Sequence, residues 1–423
     1  MSFQQGLSGL AGATKNLDVI GNNIANVATA GFKQSRAEFA DVYASSLYGA
    51  GGVQVGIGTQ VLNVAQQFTQ GNISLTNNPL DVAINGDGFF RLNDQGAITY
   101  SRNGQFHLDK DGYLVTNTGL NVMGYTDLTL DVNNNVIGAA TLGNIQIDLN
   151  DLQPRATSTM DLVLNLDAGV PLPLKTTAAF DPTSPSTYDF SSTLTVYDSL
   201  GVDHALTLYY LNTADAAASS TWSVFAYLDG TGAGNQLDLG AAGAPVYHDL
   251  VFDNTGTLTA GTATTSNQPY AVAPAQNLTI AFDFTGTTQY AGDSGITGVS
   301  QDGYSRGRVV GVTIDENGIV NGRYTNGLTR PLQQLVLANF RNPNALVPLG
   351  NNQWASVSET GSEVLNTPGV GIAGAVQSGA SEDANVDLTG ELVNLIVAQR
   401  LYQANAQTIR AQDQILQTLV NLR

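Results

Sequence analysis

The chain has 423 residues, of which 42% are hydrophobic and only 12% charged; at roughly 150 residues per domain this length suggests about three domains. With 16 basic and 35 acidic side chains the net charge is −19, which repels polyphosphates and argues against nucleic-acid binding. The absence of cysteine excludes disulfides and thiolate metal sites. The sequence has neither a continuous apolar run of about 18 residues nor the pattern of a secretory signal, so no membrane insertion and no cleaved signal peptide are expected.

The first thirty residues carry apolar side chains at alternating spacings of four and three, which predicts a helix with a heptad seam. Gly31 is placed to end this helix. Several glycines lie inside the segment and each costs about 1 kcal/mol relative to alanine, so the helix is expected to need a packing partner. The predicted N-terminal assembly seam consists of Leu7, Leu10, Leu17, Ile20, Ile24 and Val27.

A second heptad pattern runs from Asp387 to Asn421 at the other end of the chain. Asp387 is a plausible N-cap, and Glu391 suits the positive first turn of a helix. The predicted C-terminal assembly seam consists of Leu388, Leu392, Leu395, Tyr402, Ala406, Ile409, Leu416 and Val420.

Charge separates the two ends from the middle of the chain. Residues 1–70 carry three basic and three acidic side chains, and residues 366–423 carry three basic and five acidic ones, so the excess of acidic side chains lies between them. Gly-rich connectors, Gly49–Gly58 and Thr367–Gly379, separate both ends from this acidic part. The helices are therefore expected to bury their apolar faces against each other and against copies of themselves.

The middle of the chain has the short apolar runs and Asn-Gly or Asp-Gly pairs that are typical of hairpins. One set of such runs follows residue 81, a second lies at 309–340, and a stretch of different texture separates them. We predict a helical polymer-core domain with connectors at 1–70 and 366–423, a β-rich middle domain at 71–153 and 287–365, and an inserted outer β domain at 154–286. The expected fold class is mainly β with terminal α-helices that form a discontinuous coiled-coil domain.

None of the motifs in the sequence predicts a catalytic, cofactor or metal site. The run Gly369–Gly374 matches GxGxxG but follows Thr-Pro instead of a strand, and it is better explained as a connector. Asp109–Gly112 and Asp315–Gly318 lack the ligand set of a calcium loop and suit hairpin turns. The three histidines form no ligand pair or nucleophile pattern, so we expect no enzyme and no cofactor.

Both termini resemble the signatures of the bacterial flagellar rod and hook axial proteins. The N-terminal resemblance lies in the segment 21–33, with Asn22, Asn23, Asn26, Gly31, Phe32 and Lys33 as the motif residues. At the C-terminus it lies in 385–396, 398–405 and 413–423, and internal segments 81–90, 100–106 and 195–201 are similar to hook proteins in particular. Ala28 and Ala30 depart from the residues common in the family.

The resemblance implies a structural subunit that assembles into the tubular hook, a flexible universal joint that passes motor torque to the filament. It implies the following partners: further copies of the chain, the distal rod protein, the hook cap protein, the hook-filament junction protein and the flagellar type III export apparatus. The location implied is the hook and basal body of the flagellum, reached by export without a cleaved signal peptide.

Three alternatives remain open at the level of sequence, of which a hydrolase that uses surface carboxylates explains the least. Distal rod proteins share both terminal signatures but lack the inserted domain, so the length of the chain favours a hook protein. An extracellular β-rich adhesin explains the acidic middle but leaves the matched terminal seams unexplained.

Overall fold

A computed structural model describes residues 2–42, 56–130, 136–139, 141–148, 150–170, 174–216, 219–240, 246–266 and 270–421. The chain divides into two compact units. The first comprises residues 1–149, 310–323 and 329–423, and the second comprises residues 150–309 and 324–328. Both units consist mainly of strands, and the long helices lie at the two ends of the chain, which confirms the fold class expected from the sequence.

The first unit begins with a helix and a hairpin and continues into a series of short strands. The N-terminal elements are α1 (Ser2–Ala25), β1 (Ser35–Val42), β2 (Gly58–Gln66) and β3 (Ile73–Leu75). The following strands are β4 (Val82–Asn85), β5 (Phe89–Asp94), β6 (Ala97–Ser101), β7 (Phe106–Leu108), β8 (Leu114–Thr116), β9 (Asn121–Tyr125), β10 (Leu128–Leu130), β11 (Val136–Ala139) and β12 (Leu142–Asn144).

The second unit is built from eleven of the described strands and three short 3-10 helices. The strands are β13 (Thr159–Asp167), β14 (Phe190–Tyr197), β15 (Asp203–Ala216), β16 (Ser219–Leu228), β17 (Gln236–Leu237), β18 (His248–Asp253), β19 (Leu258–Ala260), β20 (Ala263–Thr265), β21 (Ala281–Asp283), β22 (Thr288–Tyr290) and β23 (Gly295–Gln301). The 3-10 helices span Thr177–Ala179, Pro185–Thr187 and Ala233–Asn235.

The chain then returns to the first unit and ends in the longest helix described. The returning strands are β24 (Val309–Ile314), β25 (Ile319–Tyr324), β26 (Thr329–Leu335), β27 (Leu337–Asn339), β28 (Val347–Gly350), β29 (Gln353–Ala355), β30 (Val364–Asn366), β31 (Ala375–Ser378) and β32 (Ala380–Glu382). The 3-10 helices Pro343–Ala345 and Ser358–Thr360 lie among them, and α2 (Leu388–Asn421) follows.

In the first unit the early and late strands form one sheet network. Its main path runs β24-β25-β26-β9-β5-β6-β29-β28, and β3 and β4 form separate two-stranded sheets with β32 and β31. An aromatic cluster forms part of its core, where the ring of Phe89 packs edge-on against Phe68 and Trp354 at centroid distances of 5.4 and 5.8 Å. Residues from both halves of the sequence therefore build this body together.

The second unit contains two sheets that share one hydrophobic core. Strands β14, β15, β16, β18 and β19 form an antiparallel sheet, and β13 is the central strand of the other. Trp222, Tyr210 and Leu164 are all fully or almost fully buried in this core. Alternate residues of β13 are buried, as expected for a strand with one face on a core.

Two features differ from the sequence-based expectations. The helix α1 ends at Ala25, before Gly31, because the chain turns at Asn26, whose side chain donates to the Asn22 carbonyl at 2.9 Å. The connector Thr367–Gly379 contains β31, which pairs with β4 along four residues and is therefore part of a sheet. Most of the connector Gly49–Gly58 lies outside the described residues.

The compact units also differ in extent from the three predicted domains. The second unit is wider than 154–286 because β23 pairs antiparallel with β13, from Met160 to Asn165. The first unit contains both the helical termini and the β-rich body, which we expected as separate domains. Turn signals in the sequence mark where strands end but do not show which strand a returning segment joins.

Candidate functional site

The two terminal helices lie antiparallel against each other in the first unit. A methyl group on Gly6 would lie 3.1 Å from Ile409 Cγ1, and one on Gly9 would lie 2.9 Å from Asn405 Nδ2. Two of the glycines that weaken α1 as an isolated helix are therefore positions of close approach to α2. On another side of α1, a methyl group on Gly12 would lie 3.3 Å from the Phe39 ring of the hairpin β1-β2.

The predicted N-terminal seam is only partly covered in the single chain. Ile20 is buried, and Leu10, Leu17 and Ile24 are half-buried, whereas Leu7 exposes about half of its surface. Val27 is half-buried but lies in the turn that follows α1. Alongside the seam residues, Ala13 and Val19 are buried on α1.

The predicted C-terminal seam lies along one side of α2 and is only partly covered in the single chain. Leu395, Ala406 and Ile409 are half-buried, and the last of these contacts α1. The other described members of the seam are exposed, and the side chain of Val420 lies outside the described residues. The exposed members are Leu388, Leu392, Tyr402 and Leu416.

A second apolar face of α2 points away from α1. At 3.6 residues per turn, this face is centred opposite Glu391, Ala398 and Ile409, with Leu392 and Leu401 at its two edges, and all of its side chains are between 44% and 56% exposed. It consists of Leu392, Val393, Ile396, Val397 and Leu401, and we call it the outer apolar face of α2. An exposed apolar surface of this kind on a helix indicates a site of protein association.

The motif residues near position 26 join the end of α1 to the start of the hairpin. Asn23 is buried, donates to the Ser35 carbonyl at 2.8 Å and accepts from the Ser35 amide at 3.0 Å. Asn22 is exposed, and its carbonyl caps the turn at Asn26. Half-buried Phe32 continues this turn, which fixes the direction in which the chain leaves the helix.

The backbone conformation at position 31 requires glycine. It has a φ of 70°, and a side chain there would place Cβ 2.6 Å from the amide nitrogen of Asn103. Its own amide donates to the carbonyl of Glu382 at 2.8 Å. A glycine at this position therefore lets the N-terminal turn contact both the β-rich body and the segment that precedes α2.

Lys33 lies in a buried ionic cluster together with Arg102 and Glu382. The Lys33 ammonium donates to Glu382 Oε1 at 2.6 Å and to the Thr69 carbonyl at 2.7 Å, and Arg102 Nη1 donates to Glu382 Oε2 at 3.3 Å. At most 2% of any of the three side chains is exposed. We call these three residues the ionic junction, because they connect the N-terminal segment, the β-rich body and the C-terminal segment.

The ionic junction holds two cations around one anion. Burial lowers the pKa of the Lys33 ammonium, and the charge of Arg102 adds to this shift, while the charge of Glu382 opposes it. Burial likewise lowers the pKa of Arg102 against the opposing charge of Glu382. The arrangement depends on Glu382, since without it two positive charges would face each other away from water.

Several residues of this region were not predicted from the sequence. Asn385 accepts from the Gln34 amide at 2.7 Å and donates to the Gln67 carbonyl at 2.8 Å, so it ties the two termini together just before α2. Arg102 and Glu382 carry no local signal either. The predicted N-cap is confirmed, because Asp387 accepts from the Thr389 amide at 3.0 Å.

Within the described parts of the chain, no three His, Asp or Glu side chains form a group that could hold a metal ion. No helix among those residues is long and apolar enough to cross a membrane.

Models of flagellar axial protein families match four segments of the chain. The Flagella basal body rod protein model matches residues 3–33, the Flagellar hook protein FlgE/F/G D1 domain 83–153, the Flagellar basal body protein FlaE D2 domain 165–304, and the Flagellar basal body rod FlgEFG protein C-terminal model 377–422. The chain has paired terminal helices with two β-rich regions between them in the sequence, and these matches place it in the class of flagellar rod and hook proteins.

The most informative relatives are full-length hook proteins. The Flagellar hook protein FlgE of Escherichia coli K12 is 40% identical over the whole of both chains, and that of Salmonella typhimurium is 39% identical with the same coverage. The FlgE of Borreliella burgdorferi is 30% identical over all of this chain and 99% of its own. The chain therefore belongs to the flagellar hook protein family.

A solved structure agrees with the fold. The crystal structure of Helicobacter pylori flagellar hook protein FlgE2 covers 72% of this chain and 99% of its own, with a TM-score of 0.50 and 15% sequence identity. As a member of the family the chain is a structural subunit of the flagellar hook, and neither the distal rod protein nor the adhesin is favoured. The named relatives are structural hook proteins.

Proposed function

We propose that the chain polymerises into a tube through the outer apolar face of α2, and that this tube is the universal joint between motor and filament. In each subunit α1 covers one side of α2 and leaves the opposite side free. Burial of apolar surface between copies contributes about 25 cal/mol per Å². A head-to-tail contact that does not close on itself builds an open helical polymer.

The observation that carries this proposal is the exposure of five large apolar side chains on one side of a single helix. A lone helix on a globular protein normally turns such residues toward the core. The side of α2 that faces α1 is already covered, because Ile409 and Asn405 of α2 pack against Gly6 and Gly9 of α1. Because the chain belongs to a family that self-assembles, we expect copies of the same chain to cover the outer apolar face.

We further propose that the inserted β domain supplies the outer, replaceable contacts of the tube. The interval 154–286 carries two basic and twelve acidic side chains, and such a surface favours hydrated contacts over dry ones. Subunits could then slide past one another on the outside as the tube bends, while the helices remain in place. The helical domain at 1–70 and 366–423 and the middle domain at 71–153 and 287–365 complete this division of roles.

The remaining partners follow from the same assignment. At its ends the tube would contact the distal rod protein and the hook-filament junction protein, and the hook cap protein would guide its growth. The flagellar type III export apparatus would deliver the subunit to the outside of the cell without removal of a signal peptide. We propose a purely structural role with no enzymatic activity and no bound cofactor.

Charge insertion on the outer apolar face tests the polymerisation proposal. Val397→Asp places a carboxylate in the centre of that face, and we expect it to abolish tubes in electron micrographs and in sedimentation assays. Gln399→Glu is the matched control, because it adds the same charge at an exposed position about 160° around the helix from Val397. Tubes formed equally well by both variants would show that this face is not the polymer contact.

A separate experiment tests the outer domain. Replacing residues 150–309 by a short Gly-Ser linker removes most of the second unit. We expect tubes of this variant to be straighter or less easily bent than wild-type tubes in electron micrographs. Unchanged curvature and flexibility would contradict the proposed role of the domain without affecting the role of α2.

A further inference from the structure

Two glycines of α1 leave small gaps, which we call notches, at the contact between α1 and α2, and the two gaps are similarly tight. Gly6 faces Ile409, with a Cβ-to-Cγ1 distance of 3.1 Å for an added methyl group, and Gly9 faces the Asn405 carboxamide at 2.9 to 3.1 Å. The notches are three residues apart on α1, a rise of about 4.5 Å. An apolar side chain such as Ile409 fits either notch, so its shape alone does not fix how far α1 lies along α2.

Within 392–411, Asn405 is the polar exception on the side of α2 that faces α1; Glu391 and Gln412, which are also not fully exposed, flank this stretch. Between residues 392 and 411, all described, the residues that are not fully exposed are Leu395, Ala398, Asn405, Ala406 and Ile409. Four of these five are apolar. A polar residue in such a seam lowers stability but can select one alignment of two helices.

The next notch along α1 is unsuitable for Asn405. A three-residue step turns a helix about 60° short of a full turn. Gly12 accordingly faces the hairpin, where an added methyl group would lie 3.3 Å from the Phe39 ring and 3.5 Å from Thr59 Cγ2. If α1 slipped by three residues, Ile409 would reach Gly9 and Asn405 would move toward Gly12. Its carboxamide would then be buried among apolar groups instead of in its own notch, which costs free energy.

We propose that Asn405, seated at Gly9, sets the register of the terminal helix pair. Its role is specificity: it selects one of two alignments that the apolar contacts alone would permit. The contact lies within one chain and therefore does not depend on the proposed function. It matters for a regular polymer, however, because a slip of about 4.5 Å would displace the exposed surface of α1 relative to that of α2.

Distance measurements between spin labels on the two helices test this proposal in the full-length chain. Because the protein has no cysteine, Asp18→Cys and Gln407→Cys, both at exposed positions, can be labelled alone. We expect one narrow distance distribution for the otherwise unchanged chain. In the Asn405→Leu background we expect a second population, displaced by up to about 4.5 Å. A single, unshifted distribution in that background would overturn the proposal.

Further variants keep the result interpretable. Gly9→Ala fills the notch, and we expect the main distance itself to shift; an unchanged distance would contradict the assigned contact. Asn405→Ala removes the amide without added bulk and decides the question if the leucine variant does not fold. Gln403→Leu makes a similar change at an exposed position of α2, and it must leave the distribution unchanged, since a shift there would show that added hydrophobicity alone causes slippage.

Discussion

The ammonium of Lys33 donates to Glu382 Oε1 at 2.6 Å and so joins two side chains that are 349 positions apart in the sequence. The same oxygen accepts from the Gly71 amide at 2.9 Å, and the other carboxylate oxygen accepts from Arg102. The ionic junction thus holds the roots of both terminal helices on the β-rich body. Its position explains why the N-terminal and C-terminal segments leave that body side by side.

Removing Glu382 or Lys33 from the ionic junction leaves different charges buried without a partner. Glu382→Gln leaves Lys33 and Arg102 buried without an anion between them, and we expect a loss of about 3–5 kcal/mol in the free energy of unfolding. Lys33→Met leaves Glu382 paired with Arg102, so the loss should be smaller. Denaturant unfolding of both variants measures the difference.

Lys110→Met is the control for this comparison, because its side chain is 90% exposed and its pairing with Asp111 is long, at 3.8 Å. We expect it to change the free energy of unfolding by no more than about 0.5 kcal/mol. A larger effect for Lys33→Met than for Glu382→Gln would contradict the view that the carboxylate is the essential member.

His204 makes the stability of the second unit depend on pH. Burial of the ring favours its neutral form, but hydrogen bonds and negative charge from Asp229 and Asp198 outweigh burial and raise the pKa of His204 above 6.5. A raised pKa stabilises the folded state below pH 6.5, and this contribution is lost as the pH rises through the folded-state pKa. His204→Gln should remove that part of the pH dependence.

Unfolding of this unit, followed by near-ultraviolet circular dichroism between pH 5 and 9, tests the prediction. Asp229→Asn removes one of the two carboxylates and should give an intermediate slope. Identical pH profiles for the wild type and His204→Gln would show that the imidazole contributes nothing to stability in this range.

Two glycines near the end of α1 should respond in opposite directions to alanine. Gly21 lies inside the helix and a methyl group there would have no atom within 4 Å, so Gly21→Ala should stabilise the monomer by about 1 kcal/mol. Gly31→Ala should destabilise it by at least about 1–2 kcal/mol, because an alanine there must adopt a positive φ and would meet the backbone of Asn103. Thermal unfolding of the two variants distinguishes the signs, and a neutral Gly31→Ala would contradict the close approach.

The pairing of the helices can be disrupted from either side. Ile24→Asp and Leu395→Asp each place a carboxylate at a half-buried position of the paired helices. We expect both variants to lose polymerisation while the β-sheet signal in circular dichroism is retained. Loss of the β signal together with polymerisation would show instead that the helices are required for the fold of the body.

Local patterns in the sequence were sufficient for the fold class, the start of α2 at Asp387 and the presence of both terminal helices, because capping and heptad spacing act over a few residues. They were insufficient for the ionic junction, since Lys33, Arg102 and Glu382 are brought together only by the tertiary fold. Periodicity also could not show that Leu395 faces α1 while Leu392 faces outward. Both residues satisfy the same heptad and are only about 60° apart around the helix, so the spacing does not show which of them α1 covers.

Electron microscopy of the purified, concentrated chain tests the central claim most directly. If the outer apolar face of α2 remains unsatisfied until copies of the chain cover it, the wild-type protein should form tubes and Val397→Asp should not. A wild-type protein that stays monomeric at high concentration, with both terminal helices ordered and protected from hydrogen exchange, would contradict the account.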